Sequence, residues 1–375
     1  DLRMSRGLGD VYKRQVLNQE MLALSKWLAE TTYSFWIACM QTMLPTMLKI
    51  DAVKIAEPIA LSAEEQARYF GQADSVAFNT LSDEDQVALM KLAQAEKVAI
   101  SYVKKDRARV KQVFYLIPQL SAEQVAAEKQ QTRKNAVKQL QLLDLIGTWA
   151  AKHERPLLTD VEHHTKLTKA TINQAAAKGW LKLEAHETYR DPYPQLRHQP
   201  LTQPLPLTAD QKKIVDTINQ AVKAKEPKTF LLEGVTGSGK TEVYLQVIAQ
   251  VLAAGQTALM LVPEIALTPQ MVDRVKGRFG MHVAVMHSGL SDGEKYDEWR
   301  RIARGEAQVV VGARSAAFAP LRHIGVFIMD EEHETSYKQD SVPRYHARDV
   351  LLKRAQIHHA PVVLGSATPL SLIHI

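Results

Sequence analysis

From residue 229 onward the chain alternates short apolar runs with amphipathic stretches: "TFLLEG", "EVYLQVIAQVLAAG", "TALMLVP", "ALTPQMVDRVKGRFG", "HVAVMHS", "GEKYDEWRRIARGE", "AQVVVGA", "VFIMDEEH", "ARDVLLKRAQIHH", "APVVLGSAT". This rhythm constrains the fold more than any other feature. Short unbroken apolar runs suit strands buried on both faces. Helix-length segments between them return the chain so that successive strands run parallel. The pattern predicts an α/β domain, a parallel sheet with helices on both faces, over 208–369.

The first strand–helix junction carries a chemical motif. Gly234-Val235-Thr236-Gly237-Ser238-Gly239-Lys240-Thr241 fits G-x-x-x-x-G-K-[ST] at every fixed position. Glycines let the backbone turn tightly and point successive N–H groups inward. The helix N-terminus that follows adds partial positive charge. Lys240 can reach β and γ phosphates and Thr241 can hold Mg²⁺. A nucleoside triphosphate site is expected, with ATP and Mg²⁺ as its cofactors.

About 90 residues later "VFIMDEEH" (326–333) ends an apolar strand in acid. A phosphate-loop ATPase needs a carboxylate on a neighbouring strand end, near the metal. Asp330 fits that role. Glu331 can polarise the attacking water as a general base. The plain alternative is a solvated acidic turn. "LGSAT" (364–368), with Ser366 and Thr368, reads as the segment that ties nucleotide state to movement. Gln211, in "LTADQKKIV" (207–215), can pair bidentately with an adenine edge, as Gln does elsewhere; otherwise it is a surface helix residue.

Upstream, helices are expected over 16–30 and over 81–105, the latter capped by Ser82 with Asp85. A β-like "VFYLI" (113–117) and a capping box at Ser121 and Gln124 follow. Helices over 133–152, 157–164 and from Thr168 to a C-cap at Gly179, then the alternating "WLKLEAHETY", suggest a winged helix over 121–190. A helical connector without a nucleic-acid role is the competing reading, since the third helix region offers only Lys166, Lys169 and Lys178. Residues 191–207 hold five prolines and mark an extended linker and domain boundary. "DLRMSRGLGDVYKRQ" (1–15) and "LSLIHI" (370–375) resemble translated adaptor or assembly scars, so the chain reads as an internal piece of something longer.

The 375 residues carry a net charge of +6, which favours a polyanionic partner. A single cysteine, Cys39, rules out an internal disulfide and a cysteine-based zinc site within this sequence. The apolar stretch 35–48 is too short to span a bilayer and contains Pro45. A cytoplasmic location without membrane attachment is the expectation.

Taken in order, Gln211, "GVTGSGKT", "LVPEIALTPQ", "HSGLS", "VVVGARSAAFAP", "DEEHETSYKQ", "RYHARD" and "LGSATP" resemble the primosomal protein N′ family, bacterial replication-restart helicases of superfamily 2. The resemblance is dense over 207–369 and looser before it. It implies a RecA-like P-loop NTPase lobe preceded by a winged-helix domain and a partial N-terminal 3′-DNA-binding domain (16–120). The implied activity is ATP-dependent 3′→5′ unwinding of DNA at stalled or abandoned forks. The implied partners are forked and single-stranded DNA, single-stranded DNA-binding protein and other primosome proteins. Carried over by position, Glu332 and His333 relay toward DNA, and Thr268, Arg314 and Ser315 meet DNA backbone. Tyr337, Lys338, Arg344, Tyr345, His346 and Arg348 match an aromatic-rich loop that senses single strands, where rings stack on bases and cations meet phosphates. Full-length members carry a second RecA-like lobe and zinc; this sequence holds neither that lobe nor the zinc ligands, so the chain alone is expected to be inactive. "TYSFWIA" (32–38) departs from the family's "YYHHP"-like segment, and Pro343 stands where an aromatic is expected. Another superfamily 2 translocase and a nucleotide-switched winged-helix module are the alternatives.

Overall fold

The computed structural model describes residues 17–48, 51–105, 110–196, 199–235 and 237–368. The terminal stretches read as scars, and Thr236 of the glycine-rich loop, lie outside them. The chain divides into two compact units, one taking in described residues of 1–108 and 191–375, the other those of 109–190.

In the first unit, β1 (Asp51–Pro58), β2 (Val76–Ala77) and β3 (Val98–Lys105) form an antiparallel sheet in the order β2-β1-β3. Its small core holds Ala56, Phe70, Phe78, Leu89 and Val98. The helix expected over 81–105 is real only in its first half, Asp83–Gln94, capped by Ser82. Glu96 turns into the left-handed region at φ 58°, and "VAISYVKK" then becomes β3. β-branched and aromatic residues prefer a pleated surface, and pairing with β1 along its full length decides the matter.

The second unit pairs β4 (Lys111–Pro118) with β5 (Leu181–Thr188), antiparallel, around the helices Ala122–Gln131, Val137–Lys152, Leu158–His164 and Lys169–Ala177. The capping box at Ser121 and Gln124 is present. Leu116, Leu142, Ile146, Ile172 and Trp180 anchor one core. Because β4 is the partner of β5, this unit begins upstream of Ser121.

The large sheet belongs to the first unit. Strands β6 (Thr229–Glu233), β7 (Thr257–Leu261), β8 (Val283–Met286), β9 (Val309–Gly312), β10 (Ile324–Met329) and β11 (Val362–Ser366) are all parallel, ordered β6-β11-β10-β7-β9-β8. Successive side chains point to opposite faces, and two cores follow. Ala258, Met260, Val326 and Ile328 pack on one face with Val215, Val243, Ile248 and Val275 of the helices Ala209–Ala224, Lys240–Ala253 and Pro269–Phe279. Leu259, Leu261, Phe327 and Met329 pack on the other with Val350 and Leu351 of the helix Ala347–His358.

That second face is completed from the far end of the chain. Met21, Leu24 and Leu28 of the helix Gln19–Thr32, with Cys39 and Met40 of Trp36–Thr42, join the same core. Glu20 clamps the arrangement. Its carboxylate accepts from Arg354 Nε at 2.7 Å and lies 3.0 Å from His358 Nε2. Arg354, wholly buried, also donates to the Ala317 carbonyl at 2.8 Å. Residues 17–48 are thus built into the sheet domain, whereas 51–105 keep a core of their own. The proline-rich segment departs from a wholly extended linker: Pro194–Leu196 forms a turn of 3-10 helix, residues 199–207 have no helix or strand, and the described residues are tied down. Asp191 pairs with Lys276 at 3.7 Å, the Tyr193 hydroxyl bonds His287 Nε2 at 2.9 Å, and Thr202 N donates to Gly277 O at 2.8 Å.

Candidate functional site

The glycine-rich loop runs from the end of β6 into the helix Lys240–Ala253. Gly237 and Gly239 both stand at φ 85°, where a side chain would be strained. Gln211 braces the loop. Its Oε1 accepts from Thr208 N at 2.9 Å, closing a capping box, and its Nε2 donates to Ser238 O at 2.9 Å. Each amide atom keeps one further hydrogen-bonding position. Gly234 passes so close to Ser238 that an added Cβ would meet its Oγ at 2.6 Å.

The acidic cluster lies at the end of β10, beside the loop. Lys240 Nζ donates to Gly234 O and lies 3.5 Å from Glu331 Oε1. Glu331 is held at φ 45°, an unusual conformation for a residue with a side chain, and its Oε2 accepts from Ala367 N at 3.3 Å. Asp330 is half-buried beside it. Burial pushes its carboxyl above the ordinary range, opposed by the Tyr244 hydroxyl, which donates to Oδ1 at 3.0 Å. Tyr244 itself is buried, and burial with the adjacent Asp330 raises its phenol. Gly365 makes this possible, because a Cβ there would collide with the Tyr244 hydroxyl.

The "LGSAT" segment meets the acidic box directly. Glu332 N donates to Gly365 O at 2.9 Å, His333 Nδ1 lies 2.8 Å from Ser366 Oγ, and Thr368 N donates to Ser366 Oγ at 3.1 Å. Glu332 is fully buried, 3.4 Å from Arg348 NH1. Two strand ends that are adjacent in the sheet thereby share one hydrogen-bond network.

The residues expected to meet DNA are distributed differently from the sequence expectation. Thr268 caps the helix Pro269–Phe279, accepting from Met271 N at 3.3 Å. Ser315 is exposed. Arg314 donates to the carbonyls of Ser336 and Lys338, tying its loop to the aromatic one. The rings of that loop do not form a stacking platform. Tyr337 has no exposed surface and Tyr345 only 6%. Tyr337 donates to the Asp330 carbonyl at 2.6 Å, and Tyr345 packs edge-on against Phe318. Both rings satisfy the core before they can meet a base. Lys338 and Arg344 are exposed. His346, lowered in pKa by burial, caps the helix Ala347–His358.

Two cavities lie at this edge of the sheet. One, of about 700 Å³, is lined by Gly237, Lys240, Thr241, Arg274, Asp330 and Glu331 among others, and brings the loop and the acidic box together. Val235, Ser238 and Gly239 also face it. The other, of about 500 Å³, is lined by Arg314, Ser315, His287, Lys295 and residues 42–46. Tyr244, Gly365, Tyr193 and Arg274 are functional candidates that the sequence reading passed over. Tyr244 reads as one more core position of a helix, and nothing in spacing distinguishes it.

Residues 208–373 match the DEAD/DEAH box helicase family model. The replication restart protein PriA of Bacillus subtilis is 45% identical over 94% of this chain and 44% of its own length. Those of Synechocystis and Treponema pallidum are 46% and 51% identical over 56% and 44% of this chain, covering 25% and 24% of their own. The resemblance seen in the motifs therefore extends over nearly the whole chain, which spans less than half the length of these relatives. Among solved structures, RecG bound to a three-way DNA junction is similar over 45% of this chain and 22% of that one, at 26% identity and a TM-score of 0.35.

Proposed function

We propose that this chain forms the first motor lobe, with preceding DNA-binding segments, of an ATP-dependent 3′→5′ DNA helicase that acts at abandoned replication forks. One observation carries the reading: a single cavity holds the phosphate loop, Asp330 and Glu331, with Lys240 3.5 Å from the Glu331 carboxylate. The 45% identity to one replication restart protein along 94% of the chain supports the biological setting.

The donor set fits a magnesium nucleotide. Thr241 and Asp330 would hold Mg²⁺, which when bound supplies charge neutralisation at the phosphates. Loop amides from Gly234 to Thr241 bind the phosphate oxygens, and Gln211 takes one edge of the adenine. Phosphate draws the Lys240 ammonium away from Glu331, and the freed carboxylate accepts the proton of the attacking water. His333 and Ser366 then register the change at Glu331, since all three share one network. Arg314, Ser315, Thr268, Lys338, Arg344 and Arg348 contact single-stranded or forked DNA through its phosphates, without reading sequence. Tyr337 and Tyr345 couple that contact to Asp330 from inside the loop. The unit 109–190 is read as a winged helix; the bridge between Tyr115 and Leu157, which adds to the β4–β5 pair, supports this. Single-stranded DNA-binding protein and other primosome proteins are proposed partners, and a cytoplasmic location goes with them.

Titration of the chain with ATP and Mg²⁺ tests the core of this reading. Wild type should bind, and Lys240→Ala should weaken nucleotide binding by about 1.5–3 kcal/mol, the weight of a charge-assisted hydrogen bond, while keeping its affinity for forked DNA. Equal nucleotide binding by both would refute the assignment.

A further inference from the structure

We propose that the proline-rich strap 199–205 is a wall of the nucleotide site, and that Gln203 and Arg274 form its subsite for the adenine base. The inference rests on the nucleotide-binding reading and adds residues outside the phosphate loop to it.

The strap is anchored on the cavity rim at several points. Thr202 N donates to Gly277 O at 2.8 Å, and Arg278 Nε donates to Thr202 Oγ1 at 3.4 Å. Leu205 is held on both sides, its N donating to Glu242 Oε1 at 3.0 Å and its carbonyl accepting from Gln246 Nε2 at 2.8 Å. Glu242 follows Thr241 directly and is bound in turn by Arg278, whose NH2 lies 3.0 Å from Oε2. The strap is therefore fastened to the residues that immediately follow the phosphate loop.

Gln203 lies between these anchors, and Pro204 after it confines its backbone to extended conformations. Its backbone is held between these anchors, and the residue lines the cavity. Across the cavity, Lys240 is paired with Glu331, and Arg278 with Glu242. Arg274 lines the same cavity, is exposed, and its side chain has no ion pair or hydrogen bond among the described residues; neither does that of Gln203. A planar guanidinium and a side-chain amide on a fixed backbone, both uncommitted, suit a flat heteroaromatic ring. Guanidinium stacks on such a face, and an amide pairs bidentately with an adenine edge. Gln203 takes the edge that Gln211 leaves open.

Calorimetric titration of the 375-residue chain with ATP, GTP and inorganic tripolyphosphate, at constant Mg²⁺, separates base from phosphate. Gln203→Ala and Arg274→Ala should each weaken ATP about tenfold, the weight of one good polar contact, and leave tripolyphosphate affinity unchanged. Gln203→Ala should also narrow the preference for ATP over GTP. Lys240→Ala, by contrast, should weaken ATP and tripolyphosphate alike. If wild type binds ATP and both variants bind it equally well, the base subsite is wrong and the phosphate site stands. Wild type that binds neither ATP nor tripolyphosphate would overturn the nucleotide reading and this inference with it.

Discussion

Gly365→Ala should unlock Asp330 through a residue that is distant in sequence. An added Cβ would fall within the van der Waals radius of the Tyr244 hydroxyl, 3.0 Å from its Cζ and 3.1 Å from Asp330 Oδ1. Tyr244 is 1% exposed and packed among Val243, Val247 and Ile328, so the ring cannot swing aside. Overpacking of this kind costs roughly 1–3 kcal/mol. Loss of the hydroxyl's bond to the Asp330 carboxylate adds about 1.5–3 kcal/mol. Together they predict a destabilisation of about 2.5–6 kcal/mol in the large sheet. Tyr244→Phe removes the colliding oxygen, so Gly365→Ala should then add only about 1 kcal/mol, from the closer ring carbon. Native-state hydrogen exchange of peptides covering 257–333 would report the opening free energies of the four members of the cycle. Purely additive effects, within about 0.5 kcal/mol, would show that the hydroxyl does not link Gly365 to Asp330.

Three further perturbations have expected outcomes. Glu331→Gln in the full-length protein should retain nucleotide affinity while turnover falls on the order of 10²–10⁴-fold; lost affinity with altered Mg²⁺ dependence would make Glu331 a metal ligand instead. Tyr337→Phe leaves the Asp330 carbonyl without its donor and should cost about 1–2 kcal/mol of stability with unchanged affinity for single-stranded DNA, whereas weaker DNA binding at full stability would restore a stacking role. Glu20 titrates well below the ordinary range: burial would raise it, but Arg354 and His358 hold it at about 2 against a reference of 4.5. Its folded value is the depressed one, so its contribution, about 3 kcal/mol, is complete above pH 4.5 and disappears as pH falls toward 2. Glu20→Gln should flatten that part of the stability–pH curve, and an unchanged acid limb would place the clamp elsewhere.

The six parallel strands were legible in the sequence because burial on both faces leaves an unbroken apolar run, and a local turn carries the phosphate-binding chemistry. Gly237, Gly239 and Lys240 declare themselves by spacing alone, as does Asp330 at the end of its strand. Strand pairing is different, since it depends on partners far along the chain. "VAISYVKK" continues a helical pattern locally and becomes β3 only because β1 offers its edge. The same holds for the clamp of Glu20 on Arg354, which joins residues 334 positions apart. Tyr337 and Tyr345 look like stacking residues in an aromatic loop, yet only packing reveals that their rings lie inside the core. Tyr244 and Gly365 have no local signal at all. Their meaning is a steric fit between a helix and a strand, and that fit exists only once the sheet has brought them together.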